Sequence, residues 1–189
     1  SGLKDDTQRL RYMIESIRPE VVFICAGFTW VDGCELDPEK AFDINASSPA
    51  VIASIVKEKG GKTVYYSTDY LFDGHENKLW SEEDVVNPIN AYGSSKAEGE
   101  KRLLEADPGA LVIRTTGVFG PDKYEKNFVY SLCKKISSGC TFKCAKDQFG
   151  SPTYSRDLAR WSAKLLESKE VGIFHCVGPK VYDRYSFAF

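Results

Sequence analysis

The chain of 189 residues carries 25 basic and 27 acidic side chains for a net charge of −2, and is 42% hydrophobic and 28% charged. This is ordinary globular composition for one domain or one and a half. No basic block stands out, which argues against a nucleic-acid partner, and no apolar run approaches the ~20 residues of a membrane-spanning helix.

The predicted elements alternate. DDTQRLRYMIESIR reads as a helix with Asp5 or Asp6 as its N-cap. VVFICAG is a continuous apolar run that suits a strand buried on both faces, with Cys25 in the core. Thr29, Trp30 and Val31 follow as a loop able to line a pocket, and Asp32 and Glu35 are expected in solvent. PEKAFDINASSPAVIASIVKEKG reads as a helix interrupted near Pro49 and stopped by Gly60-Gly61. KTVYYST is the next strand, and YGSSKAEGEKRLLEA a helix entered through the turn-like NPIN. ALVIRTTGVFG reads as a strand, NFVYSLCKKISSG as a helix, SRDLARWSAKLLES as a helix capped by Ser155, and GIFHCVG as a last strand.

This order predicts an α/β fold, a Rossmann-type doubly wound parallel sheet with helices on both faces and a small C-terminal substrate region. The expected division is a Rossmann-like domain over residues 1–120, a substrate-binding region over 121–154 and 179–189, and a helix and strand over 155–178 returning to the first domain. No G-x-G-x-x-G turn occurs. The chain is therefore expected to be the middle of a longer protein, with the first strands, the glycine-rich loop and the residue that selects NAD or NADP upstream of Ser1. No signal peptide is expected. Six cysteines form no C-x-x-C pair, and His75 and His175 lie far from Cys140 and Cys144. Reduced thiols, a cytoplasmic location and no metal site are expected.

In such sheets ligands bind beyond the carboxyl ends of the strands. Small and polar residues gather there: Ala26-Gly27-Phe28, Ser67-Thr68-Asp69-Tyr70 and Thr115-Thr116-Gly117. Tyr92 and Lys96 open the helix after the second of these strands, four residues apart and so on one helical face. They read either as a surface aromatic–lysine pair or as a proton donor with its tuning charge. The Thr68 hydroxyl could share charge developing on a substrate oxygen, or simply cap a turn. Asp69 could accept sugar hydroxyls, or cap the Asp73-Gly74 turn.

Four blocks, STDYLFDG, NPINAYGSSKAEGEK, VIRTTGVFGP and KDQFGSPTYSRDLA, occur in this order. Together they resemble the extended short-chain dehydrogenase/reductase superfamily, and within it the dTDP-4-dehydrorhamnose reductase branch of sugar-nucleotide-binding proteins. The likeness covers nearly the whole chain. It implies that Tyr92 protonates a carbonyl oxygen during reduction, that Lys96 lowers the tyrosine pKa and holds the nicotinamide ribose, and that Thr68 completes the triad. It places Ala26, Gly27, Ser67 and Thr116, with Tyr92 and Lys96, against the cofactor. It places Asp69, Tyr70, Asn127 and Gln148 on the substrate side, with Pro152 and Thr153 in the same loop, and Asn45 near the active site. Thr115 and Val118 border the nicotinamide pocket, and Arg156 with Asp157 starts a helix. Two positions depart from the family pattern: Cys25 interrupts an Asn-Ala-Ala-like run, and Gly117 stands where a tryptophan usually faces the sugar. By analogy NADPH is favoured over NADH.

The implied function is NAD(P)H-dependent reduction of a nucleotide-linked 4-keto-6-deoxy sugar. The partner expected is that nucleotide sugar, with no nucleic acid and no membrane, and a homodimer remains possible. One alternative is a non-catalytic NADP-binding regulatory subunit resembling the methionine adenosyltransferase beta subunit. Another is a nucleotide-sugar epimerase or dehydratase; a dehydratase would carry an acidic pair beside the threonine, and Thr68-Asp69-Tyr70 offers one carboxylate.

Overall fold

Apolar strands and amphipathic helices take turns along the chain. The computed structural model describes residues 2–75, 78–125 and 127–188. In order they form α1 (Gly2–Ile17), β1 (Val21–Ile24), α2 (Val31–Leu36), α3 (Pro38–Phe42), a π turn (Asp43–Ser47), α4 (Ser48–Glu58), β2 (Lys62–Thr68), a 3-10 turn (Asp69–Leu71), α5 (Ala91–Ala106) and β3 (Leu111–Thr115). Then come β4 (Val118–Phe119), α6 (Phe128–Ser137), β5 (Phe149–Gly150), β6 (Thr153–Tyr154), α7 (Ser155–Glu167), β7 (Gly172–His175), β8 (Tyr182–Asp183) and α8 (Arg184–Phe187). The chain divides into two compact units, Ser1–Arg114 with Glu170–His175, and Thr115–Lys169 with Cys176–Phe189.

The first unit is an α/β layer built on a sheet of order β1-β2-β3-β7. β1 runs parallel to β2 and β3 parallel to β7, with Ile24 level with Tyr65 and Val112 level with Ile173. Alternate residues point to one face, so Val22, Ile24, Tyr65, Val112 and Ile173 meet Ile52 and Ala53 of α4 and Leu103 and Leu104 of α5. Leu10 and Ile14 of α1 pack on Ile55 and Val56, extending the same layer. β2 has no exposed residue and β3 is buried throughout, as parallel strands covered by other elements require.

In the second unit β4 pairs parallel with β6 and β5 antiparallel with β8. Phe187 gathers Phe119, Phe128 and Tyr182, with ring centroids 5.5, 5.9 and 5.8 Å away. Among the described residues no helix is long and apolar enough to cross a membrane.

Several expectations are corrected. α1 starts at Gly2, so Asp5 and Asp6 lie inside the helix rather than at its cap. Cys25 is exposed, because β1 ends at Ile24 and the chain leaves the sheet there. Val31 opens a short helix rather than a loop; Gly33 permits it, since a Cβ at Gly33 would stand 2.4 Å from the Trp30 ring. Tyr154, not Ser155, precedes α7, with no side-chain cap bond. The unit boundary falls at Arg114, and α7 groups with the second unit; only β7 returns to the first, drawn by its ladder with β3.

The single helix expected around Pro49 is three pieces, and the proline explains where the pieces meet. Pro49 has no N–H to give to the Asn45 carbonyl four residues back. The helix widens through the π turn just before it, and the Tyr65 hydroxyl donates to Asn45 O instead, at 2.7 Å.

Candidate active site

β2 delivers Ser67 and Thr68 to its carboxyl end, and the first turn of α5 is laid against the residues that follow. Gly93 allows that approach: a Cβ there would lie 2.1 Å from the Tyr70 carbonyl oxygen. Two side chains fix the start of α5. The Asn90 carbonyl accepts from Gly93 N at 2.7 Å, and the Glu35 carboxylate accepts from Ala91 N. Both occupy N–H groups that a helix start leaves free, and a carboxylate there also complements the helix dipole.

This docking brings Tyr92 to Thr68, and the two side chains are hydrogen-bonded. Thr68 Oγ1 also accepts from Tyr70 N at 3.2 Å and donates to Asp69 Oδ1 at 3.3 Å. The Tyr70 ring meets Tyr92 edge-on at 5.5 Å. Lys96, one turn along α5, donates from Nζ to Tyr66 O at 2.6 Å and lies 3.8 Å above the Tyr65 ring. Tyr92 is 9% exposed and Lys96 4%. The pair is therefore part of the interior, and a surface aromatic–lysine contact does not describe it.

Burial dominates the electrostatics. It pushes the Tyr92 phenol up to about 12; the Thr68 hydrogen bond pulls the other way, and the Asp69 charge adds to the rise. Burial brings Lys96 down to about 7, with the Glu100 carboxylate opposing. The expected lowering of Tyr92 by Lys96 does not appear. Loss of solvent dominates at the phenol, and the ammonium is given to a carbonyl and a ring of β2.

Asn45 ties three elements together. Its Oδ1 accepts from Phe28 N at 2.8 Å, and its Nδ2 donates to Phe28 O and to Ser95 Oγ, both at 3.0 Å. Ser95 Oγ in turn donates to Tyr92 O at 2.7 Å. The asparagine, 1% exposed, thus bolts the loop after β1 to the helix that carries Tyr92.

Ala26 and Gly27 are exposed at the end of β1. Ser67 is 5% exposed, and its hydroxyl has no hydrogen-bond partner among the described residues. Small exposed residues and an orphan hydroxyl at neighbouring strand ends fit a dinucleotide laid across them. Asp69 is half-buried and Tyr70 37% exposed, so the first unit holds Ser67, Thr68, Asp69, Tyr70, Tyr92 and Lys96 in one region.

The remaining expected residues belong to the second unit. Thr116 is half-buried. Asn127 caps α6, accepting from Tyr130 N at 3.3 Å and donating to Gly120 O at 3.1 Å, so both ends of its amide serve the fold. Gln148 is exposed, and its main-chain oxygen accepts from Arg184 N at 3.2 Å. Thr153 Oγ1 accepts from Gly178 N and donates to Ser151 O. Arg156 and Asp157 stand in the first turn of α7, as expected, and Asp157 pairs with Arg160. Gly117 has φ +52, in the left-handed region.

The sequence reading did not single out Ser95, Glu100 or Arg114; Glu35 is exposed as expected, and its carboxylate also holds the start of α5. Glu100 carried a signal: it follows Lys96 by four residues and Tyr92 by eight, in the same helical stripe. A carboxylate in a buried stripe calls for a cation, and Arg114 is that cation.

The model of the family described as the RmlD substrate binding domain matches residues 4–189. A dTDP-4-dehydrorhamnose reductase of Aggregatibacter actinomycetemcomitans is 33% identical, over 93% of this chain and 61% of its own length. The methionine adenosyltransferase 2 subunit beta of Danio rerio is 36% identical, over 95% of this chain and 57% of its own. The crystal structure of dTDP-4-dehydrorhamnose reductase from Bacillus anthracis in complex with NADP superposes with a TM-score of 0.92 at 31% identity, covering 96% of this chain and 64% of that one. The chain spans about three-fifths of the length of the curated relatives it matches.

Proposed function

We propose that this chain, which belongs to the family of the RmlD substrate binding domain, serves the NADPH-dependent reduction of a nucleotide-linked 4-keto-6-deoxy sugar. The observation that carries the reading is the buried Tyr92 phenol, hydrogen-bonded to Thr68 with Lys96 one turn away. Relatives named dTDP-4-dehydrorhamnose reductase, one of them solved with NADP, support the substrate class and the cofactor.

A bound NADPH would supply the hydride to the sugar carbonyl carbon. The chain's own residues handle the oxygen. A phenol raised to about 12 keeps its proton at neutral pH and can give it to an alkoxide as the charge forms. The Thr68 hydroxyl shares that oxygen's developing charge. Lys96, brought to about 7, exchanges protons near neutrality and can return one to the tyrosine. Ala26, Gly27 and Ser67 would flank the nicotinamide nucleotide, and Asp69 and Tyr70 the sugar. The reading carries a cytoplasmic location with it.

Positioned acid catalysis typically contributes ~10²–10⁴-fold. In the intact protein, Tyr92→Phe should abolish NADPH oxidation in the presence of a dTDP-4-keto-6-deoxy sugar and leave NADPH binding unchanged. Full turnover in that variant would sink the proposal. The likeness to the Danio rerio beta subunit supports a second reading, a regulatory subunit. Under it the intact protein binds NADPH, turns over no keto sugar, and co-purifies with a methionine adenosyltransferase catalytic chain.

A further inference from the structure

Below Lys96, α5 buries a second charge that the proposed reaction leaves unused. Glu100 is 4% exposed, and Arg114 of β3 is 5% exposed. Arg114 Nε donates to the two Glu100 oxygens at 3.0 and 3.2 Å, and Nη2 donates to Oε2 at 2.7 Å. Nη1 reaches Glu82 O at 3.4 Å and faces His175 Nε2 at 3.5 Å. The Phe72 ring lies 5.6 Å from the guanidinium carbon.

Stability alone is a poor explanation for this pair. Desolvating two charges costs several kcal/mol each, and apolar residues of the same shape commonly do as well. Its place in the site says more. The charged and titratable groups around Lys96 are Tyr92 and Glu100 on its own helix, Tyr65 on β2, Arg114 on β3, and, beyond Arg114, His175 on β7 and Glu82, whose carboxylate accepts from His175 N. Among these only Glu100 is a carboxylate that is almost fully buried. It is bonded to Arg114, while the Lys96 ammonium rests on a carbonyl and a ring, neither of which carries a net charge.

We propose that the Glu100–Arg114 pair is a positioning device for Lys96: Arg114 pins the carboxylate one helical turn beneath the ammonium, where it favours the charged lysine without capturing it. This rests on the reading of Tyr92 and Lys96 as a proton-handling pair. Arg114 is needed because a free Glu100 would swing up and form its own ion pair with Lys96, drawing the ammonium off Tyr66 O. The Glu100 charge does oppose the effect of burial on Lys96.

The test is the titration of Lys96 in the intact protein, followed by NMR of isotope-labelled lysine side chains, with Lys96→Arg to assign the signal. In Glu100→Gln the Lys96 midpoint should fall by roughly one pH unit, the scale of a nearby opposite charge. A merely structural role predicts the opposite sign, because a loosened interior admits water and moves the lysine up toward its ordinary value. A midpoint that stays or rises in the folded variant overturns the proposal. If Glu100→Gln leaves Arg114 unpaired and fails to fold, the double variant Glu100→Met/Arg114→Met removes both charges and keeps the volume. It too should lower the midpoint, and an unchanged midpoint overturns the proposal. The readout needs no turnover. A midpoint that falls in an intact protein without reductase activity upholds the pair's role while refuting the reductase reading, and a fixed midpoint in an active enzyme does the reverse.

Discussion

Gly99 sits where α5 crosses the π turn, and replacing it by alanine tests that crossing. The added Cβ would stand 2.1 Å from Asn45 O and 2.8 Å from the Tyr65 hydroxyl, whereas ordinary contact begins at 3.4 Å. Helix and turn must therefore separate by more than 1 Å. Alanine in place of glycine favours the helix by about 1 kcal/mol. Overpacking a closed interior costs about 1–3 kcal/mol. The displaced Asn45 also strains its bonds to Phe28 and Ser95 and the Tyr65 bond to its carbonyl, each worth about 1 kcal/mol net. The balance is a loss of about 2 kcal/mol. For a chain of this size that lowers Tm by roughly 4–8 °C. Thermal unfolding followed by far-ultraviolet circular dichroism reads it directly. A Tm that holds or rises would mean that the propensity gain acts alone and the crossing is not close.

Lys96 gives a pH signature. Its folded pKa of about 7 lies below its ordinary 10.5, so the unfolded chain holds the proton between those values and wild-type stability rises with pH across that window. Lys96→Met lacks this component. Its stability advantage over wild type should be greatest below pH 7 and shrink by about 1.4 kcal/mol per pH unit above it; urea titrations in the two pH regimes measure the difference, and a constant offset refutes the shift. At Gly117 a tryptophan should cost about 1–2 kcal/mol, because φ +52 is left-handed. A Cβ itself meets no clash there, its nearest neighbour being Pro152 Cα at 3.5 Å. Equilibrium unfolding of Gly117→Trp tests this, and an undiminished stability would show that the turn relaxes freely.

How far the sequence could be read depended on the kind of signal. The apolar run KTVYYST located β2 well, because a strand covered on both faces leaves a continuous trace; VVFI also marks a strand, but Phe23 on its second face is 44% exposed, so the two-sided burial expected there is not met. The helix of Tyr92 and Lys96 was legible from its turn-like approach and periodicity. Helix ends were read poorly. α1 begins earlier than Asp5, and α7 has no side-chain cap, so the capping residues read from the sequence do not mark either start. α2 was missed because its six residues carry no period, only a glycine under a tryptophan. The Tyr92–Lys96 spacing was visible, but the sign of the Tyr92 shift was not. Proximity of a cation suggested a lower pKa, while burial, which only the fold reveals, reverses it. Asn127 drew notice as a ligand and serves as a helix cap, two roles that use the same amide.

The π turn at Asp43–Ser47 also makes this part of the chain sensitive to length. Each helical residue rotates the chain by about 100°. Deleting or inserting one residue within the turn would either swing Asn45 away from Phe28 and Ser95 or rotate Ala53, Ile55 and Val56 of α4 out of the layer they fill. An exchange at exposed Asp43 disturbs neither set of contacts. The segment works as a spacer of fixed count between the hydrophobic layer and the strand-end residues. Relatives that keep both should align through it without a gap, however freely its outward-facing side chains vary.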